Sequence, residues 1–195
     1  MKLPEFYNTI EPIVLKDELA EFLGAPEDGE IEIHYLDIVK MAGHSCATVA
    51  GAYLMTFSGL KALYSNELPK RGEIKVELRD SITEGSVGVS GTVFSNITGA
   101  AGEGGFGGLG GKFVRRNLLS FNAKIENFVR FTRLDTGDSV EVKYRPANAV
   151  HPSNIMMTAL GPQATIESKN AFPKKWQEMI KTIFENSDLV IEIIK

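Results

Sequence analysis

Ala47-Thr48-Val49-Ala50-Gly51-Ala52-Tyr53-Leu54-Met55-Thr56-Phe57-Ser58-Gly59-Leu60-Lys61-Ala62-Leu63 carries one charge, Lys61. A helix that is apolar on most of its faces is a buried one, so this stretch predicts a long central helix around which the rest must pack. Its small residues, Ala47, Ala50, Gly51 and Gly59, leave room for other backbones to approach. Asn66 and Pro69 mark its end. Just upstream, Gly43 permits a turn and Ser45 is an acceptable N-cap.

Working outward, residues 15–23 read as a short amphipathic helix, ended by Gly24 to Gly29. Ile31, Ile33 and Tyr35 alternate with polar residues as a short strand does, and a turn of helix follows from Asp37 to Met41. Downstream, Ile74, Val76 and Leu78 alternate with charged residues, and Val87, Val89 and Val93 read as a continuation of that β-like block. Residues 118–125, 128–134 and 140–144 are further strand candidates, with Thr136-Gly137 as a hairpin signal between the last two. Beyond Pro146, prolines at 152, 162 and 173 punctuate the chain. Residues 172–185 carry Trp176, Met179, Ile180, Ile183 and Phe184 at helical spacing, and 189–194 can close as a strand. The expectation is an α+β fold: a mostly antiparallel sheet packed on one long buried helix. Residues 1–146 form the main domain, and 147–195 a small C-terminal extension that serves as a lid, a small subdomain or a dimerisation arm.

Charge and composition exclude several classes. A net charge of −4 with the two signs interspersed leaves no electrostatic footprint for nucleic acid or for an anionic membrane. One cysteine rules out an intrachain disulfide and any CxxC-paired zinc ribbon. Met1 to Phe6 lacks the basic and apolar regions of an export signal, and no stretch approaches about 18 uninterrupted apolar residues. A cytoplasmic protein that neither binds nor crosses a membrane is expected.

The chemistry concentrates at His44 and Cys46, which sit two residues apart before the central helix. Imidazole and thiolate bind soft divalent metals well, and a helix start is where thiol ionisation is most easily favoured. Inside one helix this spacing would splay the two side chains about 200° apart, so they converge only if Gly43 to Ser45 form a turn. A lone cysteine is also commonly just a small buried hydrophobe. Both roles stay open for Cys46. Two ligands do not complete a zinc site, and His34, His151 and Asp37 are the chemically sensible additions. For His34 and His151 the ordinary surface roles of a strand histidine and a pre-proline loop histidine compete.

The glycine-rich run from Gly99 to Gly111, followed by Lys112, Arg115, Arg116 and Asn117, is the second feature. It contains a GxGxxG match, but no helix is expected after it, which argues against a dinucleotide fold. Gly111-Lys112-Phe113 lacks the Ser or Thr of a P-loop. A flap whose backbone amides and cations receive a carboxylate or phosphate is one reading, and a flexible hairpin with solvated charges is the other. Arg130, Arg133 and Asp135 read as a strand-end ion-pair network.

Ala42-Gly43-His44-Ser45-Cys46-Ala47 resembles the His-Gly-His-x-Cys-Pro-Gly signature of the FmdE family of formylmethanofuran dehydrogenase components. Ile97-Thr98-Gly99-Ala100 and Arg116-Asn117-Leu118 resemble, in order, that family's Thr-Gly-Cys and Gly-Lys-x-Asn-Leu landmarks. The resemblance spans roughly residues 35–144. It implies an α+β domain, a cytoplasmic homodimer and a metal, usually zinc, held by His44 and Cys46. The chain departs from the signature at Ala42, Ala47 and Ala100, and it lacks a C-terminal zinc module.

Two functions are therefore expected. The first is a metal- or thiolate-dependent protein with His44 and Cys46 as catalytic residues, acting on a small anionic molecule oriented by Lys112, Arg115, Arg116 and Asn117. The second is a non-catalytic metal-binding accessory component of a redox enzyme complex.

Overall fold

The computed structural model describes residues 2–195. It shows an α+β fold in which a mixed, mostly antiparallel sheet packs on a long buried helix. After a 3-10 turn at Glu5–Thr9, β1 (Ile13–Lys16) and β2 (Glu30–Ile33) pair as an antiparallel ribbon on either side of α1 (Glu18–Phe22). The helix expected over residues 15–23 is thus shorter and later, because strand β1 claims residues 13–16. Asp17 then starts α1 by accepting from the amides of Leu19 and Ala20.

α2 (Tyr35–Ala42) leads into α3 (Ala47–Tyr64), the expected central helix, which buries Val49 to Thr56 without a break. β3 (Ile74–Leu78), β4 (Leu119–Ser120), β5 (Val129–Arg133), β6 (Ser139–Tyr144) and β7 (Ile191–Ile194) form one sheet in the order β4-β3-β5-β6-β7. Only β3 and β4 run parallel. Strand β4 is two residues long where residues 118–125 were expected to be extended. Gly59 of α3 lies against Phe131 and Val142, and Gly51 against the ring of Tyr144, so the small residues on this helix are what let the sheet come close.

The block at Val87 is corrected from β to helix. α4 (Val87–Thr98) buries Val87, Ser90, Gly91, Phe94, Ile97 and Thr98, a spacing of three and four, while Val89 points outward. Its valines suggested a strand, but tertiary packing on α3 and β3 overrides that weak preference.

The C-terminal residues form α5 (Pro152–Leu160), α6 (Ile166–Glu185), α7 (Ser187–Val190) and β7. Pro173 lies inside α6 and does not end it. Met179, Ile180, Ile183 and Val190 belong to the same core as α3 and the sheet, and β7 pairs with β6. No helix among the described residues is long and apolar enough to cross a membrane.

Candidate functional site

α2 ends at Gly43, whose φ of +75° closes the helix in the left-handed conformation that glycine adopts without steric cost. The chain then doubles back through His44 and Ser45. His44 is exposed, and its Nδ1 donates to the carbonyl of Ala42 at 2.9 Å. Ser45 is buried, its hydroxyl 2.7 Å from the Tyr35 hydroxyl, and its carbonyl accepts from Trp176 Nε1 at 3.0 Å. Cys46, rather than Ser45, is the N-cap of α3, and its carbonyl accepts from the Ala50 amide at 2.9 Å. The turn needed to bring His44 and Cys46 to one end of α3 is therefore present.

Cys46 is half-buried. Burial pushes the hydroxyls of Tyr35 and Tyr144 well up, so both phenols remain protonated at neutral pH. The Tyr144 hydroxyl donates to the Ala47 carbonyl at 2.9 Å, tying β6 to the first turn of α3.

Next to this turn lies a cavity of about 310 Å³, walled by Met55, Phe128 and Tyr144 and edged by Thr48, Ser86 and Ser90. Thr48 Oγ1 and Ser86 Oγ are 3.1 Å apart, which places the starts of α3 and α4 side by side. Pro152, at the start of α5, lines the same cavity. Neither α3, α4 nor α5 has a side-chain cap at its N-terminus. At α4 the Val87 amide already donates to the Glu84 carbonyl, and α5 begins with Pro152, which has no N–H, its Asn154 amide donating to His151, so the first turn of α3, beginning at Ala47, is what brings amide donors to this cavity.

Of the other predicted ligands, His34 and Asp37 are elsewhere, and His151 directly precedes Pro152 of the cavity. His34 pairs with Glu32 at 3.1 Å, and Asp37 accepts from the His34 amide at 3.1 Å, both at the start of α2. The length of that helix, about 12 Å, separates them from the His44 turn. His151 is exposed at the N-cap of α5. Among the described residues no group of three or more His, Cys, Asp or Glu is placed to hold a metal. His44 and Cys46 supply two donors where a resident zinc needs three or four, so the side chains that one chain brings together do not fit that ion.

The glycine-rich segment lies at the far end of α4. Gly99 closes that helix with φ +74°. Beside it Arg71 donates to the carbonyls of Ile97 and Asn96 at 3.0 and 3.2 Å. Arg71 and Arg115 both bind Asp17, at 2.9 and 2.6 Å. Burial pushes the Asp17 carboxyl up, but the hydrogen bonds from Arg115 and Arg71 and from the Ala20 amide outweigh it and hold the group below its usual range. Lys112, Arg116 and Asn117 are exposed on the loop. Since the starts of α3 and α4 adjoin, the length of α4, about 18 Å, separates these cations from the cavity. Within one chain the structure does not bring Lys112, Arg115, Arg116 and Asn117 to His44 and Cys46. Ala100, at the Thr-Gly-Cys landmark, is likewise buried at the far end.

Scans against protein-family models, curated proteins and solved structures return no match. The site must be read from its own geometry. Thr48, Ser86, Ser90 and Tyr144 were not singled out in the sequence. The one available signal was Ser86 and Ser90 at a spacing of four, which belongs to a helix face once the Val87 block is read as helical.

Proposed function

We propose that the protein binds a small anionic organic molecule, a carboxylate or phosphate ester, in the cavity where α3, α4 and α5 begin, one residue beyond Cys46. The observation that carries this reading is the meeting of the uncapped first turn of α3 with the hydroxyls of Thr48 and Ser86 on one cavity with apolar walls. Helix N-termini favour negative charge. The apolar surface of Met55, Phe128 and Tyr144 suits an organic body more than a bare inorganic ion.

His44 and Cys46 immediately precede Ala47, the first residue of α3 to line the cavity, and imidazole and thiol are the pair that thiol-dependent chemistry uses. Nothing in the donor set calls for zinc, so the function is argued without one.

The test is calorimetric titration with a panel of small carboxylates and phosphate esters, paired with the rate at which Cys46 is alkylated. Binding that slows Cys46 alkylation supports the reading. A panel that binds nowhere, or a bound anion that leaves alkylation of Cys46 unchanged, overturns it.

A further inference from the structure

A second cavity, of about 290 Å³, lies between α1, the turn before β3 and the end of the glycine-rich segment. Its apolar wall is Leu19, Phe113, Val114 and Leu134. Val114 and Leu134 are 38% and 49% exposed, and Phe113 packs on Phe22 of α1 with ring centroids 5.5 Å apart. Phe113 has a φ of +61°, a conformation that a bulky side chain adopts only under constraint. Constraint of this kind gathers at ligand clamps.

One guanidinium bordering this cavity is only partly used. Arg71 engages all three of its nitrogens, on Asp17 and on the Ile97 and Asn96 carbonyls. Arg115 engages Nη2 alone, on Asp17, and its buried Nε has no partner. A buried charged donor without an acceptor is costly. Gly72 makes room for that edge of Arg115, since a Cβ there would stand 3.1 Å from Nε, and both residues line the cavity.

Glu18, Glu73 and Asp135 line the same cavity. Asp135 is held by Arg133 at 2.9 Å and by Lys70 at 3.2 Å, and Glu73 is 3.8 Å from Lys70. Glu18, exposed at the start of α1, has no ion pair among the described residues. With Lys70, Arg133 and its partner Glu67 included, four cations and five carboxylates surround the cavity, so neither sign dominates. The groups left over are the Glu18 carboxylate and the free edge of Arg115.

We propose that this cavity binds a free α-amino acid with an apolar side chain. Its carboxylate takes the free edge of Arg115, its ammonium takes Glu18, and its side chain lies against Phe113, Val114 and Leu134. A simple anion would meet the surrounding carboxylates, and a simple cation would leave Arg115 without an acceptor. Because Nε is enclosed, the strained turn at Phe113 is the part that moves to admit the ligand oxygen. The site is separate from the cavity at the start of α3 and does not rest on the reading of that cavity.

The test is calorimetric titration of the full chain with L-leucine and L-phenylalanine. Leucine methyl ester, which lacks the carboxylate, and N-acetyl-leucine, which lacks the ammonium, are titrated beside them. The free amino acids should bind, and each blocked form should bind about tenfold more weakly or less. Glu18→Gln, at an exposed position, should weaken L-leucine binding by a similar factor with thermal unfolding unchanged. Leu134→Trp, which narrows the cavity, should abolish binding. Bound L-leucine should leave the alkylation rate of Cys46 unaltered. The proposal is overturned if neither amino acid binds, if either blocked form binds as well as L-leucine, or if Glu18→Gln leaves the affinity as it was. L-leucine that slows Cys46 alkylation would place it in the cavity at α3 and overturn the proposal as well.

Discussion

At the C-terminal end of α4 the helix carbonyls meet cations: Arg71 donates to Ile97 and Asn96, and Asp17 anchors both Arg71 and Arg115. At the N-terminal ends of α3 and α4 there is no counterpart. Cys46 and Ser86 stand at the N-cap positions without capping, and hydroxyls gather around a cavity instead. α4 is thus tied to a cation at its C-terminal end and has no side-chain cap at its N-terminal end. Side chains that look like ligand-binding cations in the sequence serve the C-terminal end, where Arg115 binds a buried carboxylate.

The largest effect that can break this contrast is at Asp17, which is 2% exposed. Asp17→Asn keeps a capping oxygen for α1 but leaves Arg71 and Arg115 without their anion, and should cost about 3 kcal/mol at pH 7. Because the folded carboxyl is held below its usual value, the stabilisation is fully present above the ordinary Asp value of 3.8 and is lost as pH falls through the lower folded value. Urea unfolding of both proteins should therefore show a gap at pH 7 that closes in strong acid. A gap that stays constant with pH would mean the ion pair is not its origin.

Next comes Gly51→Ala. A methyl group there runs into the ring of Tyr144, which the sheet holds against the first turn of α3. Overpacking of this kind costs about 2 kcal/mol. It also pushes Tyr144 into the cavity it lines. Gly104→Ala meets nothing within 4 Å and is the control. Thermal unfolding of the two variants should separate them clearly, and equal stabilities would show that the helix-to-sheet contact is slack.

The sequence made α3 legible because a run from Ala47 to Leu63 with one charge admits few other readings, and Gly43 announced the turn between α2 and α3. β3, β5 and β6 were legible for the same reason, since Ile74, Val76 and Leu78, like Val140 and Val142, alternate at a period of two. α4 was not. Its helix is written in glycine, serine, threonine and valine, residues with poor helix preference, and it exists because α3 and the sheet bury one of its faces. Misreading α4 hid the site, since Ser86 and Ser90 join Thr48 only when α4 runs alongside α3. The cations after the glycine-rich run were visible, but not their partner: Asp17 lies 98 residues from Arg115.

A smaller effect tests the uncapped end directly. Thr48→Val with Ser86→Ala removes two hydroxyls from the cavity edge while keeping the helices. The expected loss is about 1 to 2 kcal/mol in anion affinity, roughly five- to thirtyfold, with stability little changed. Unfolding free energy and calorimetric affinity measured on the same preparation distinguish the two quantities. A loss of stability without a loss of affinity would make the hydroxyl pair a helix-to-helix tie.

The smallest effect is expected at Arg116, and it is informative because its neighbour differs so much. Arg115 is 12% exposed at its side chain and bound to Asp17, whereas Arg116 is exposed on the glycine-rich loop and pairs with no carboxylate among the described residues. Arg116→Ala should change stability by less than about 0.5 kcal/mol. It should also leave anion affinity at the cavity unaltered in the single chain, because the length of α4 lies between them. Arg115→Ala, in contrast, strips a buried carboxylate of one of its two guanidinium partners and should be destabilising by about 2 kcal/mol or more. If Arg116→Ala weakens anion binding in the monomer, the two ends are coupled in a way their separation does not allow. If it weakens binding only where two chains associate, the glycine-rich loop reaches the uncapped end of its partner, and the cations read from the sequence act across the interface.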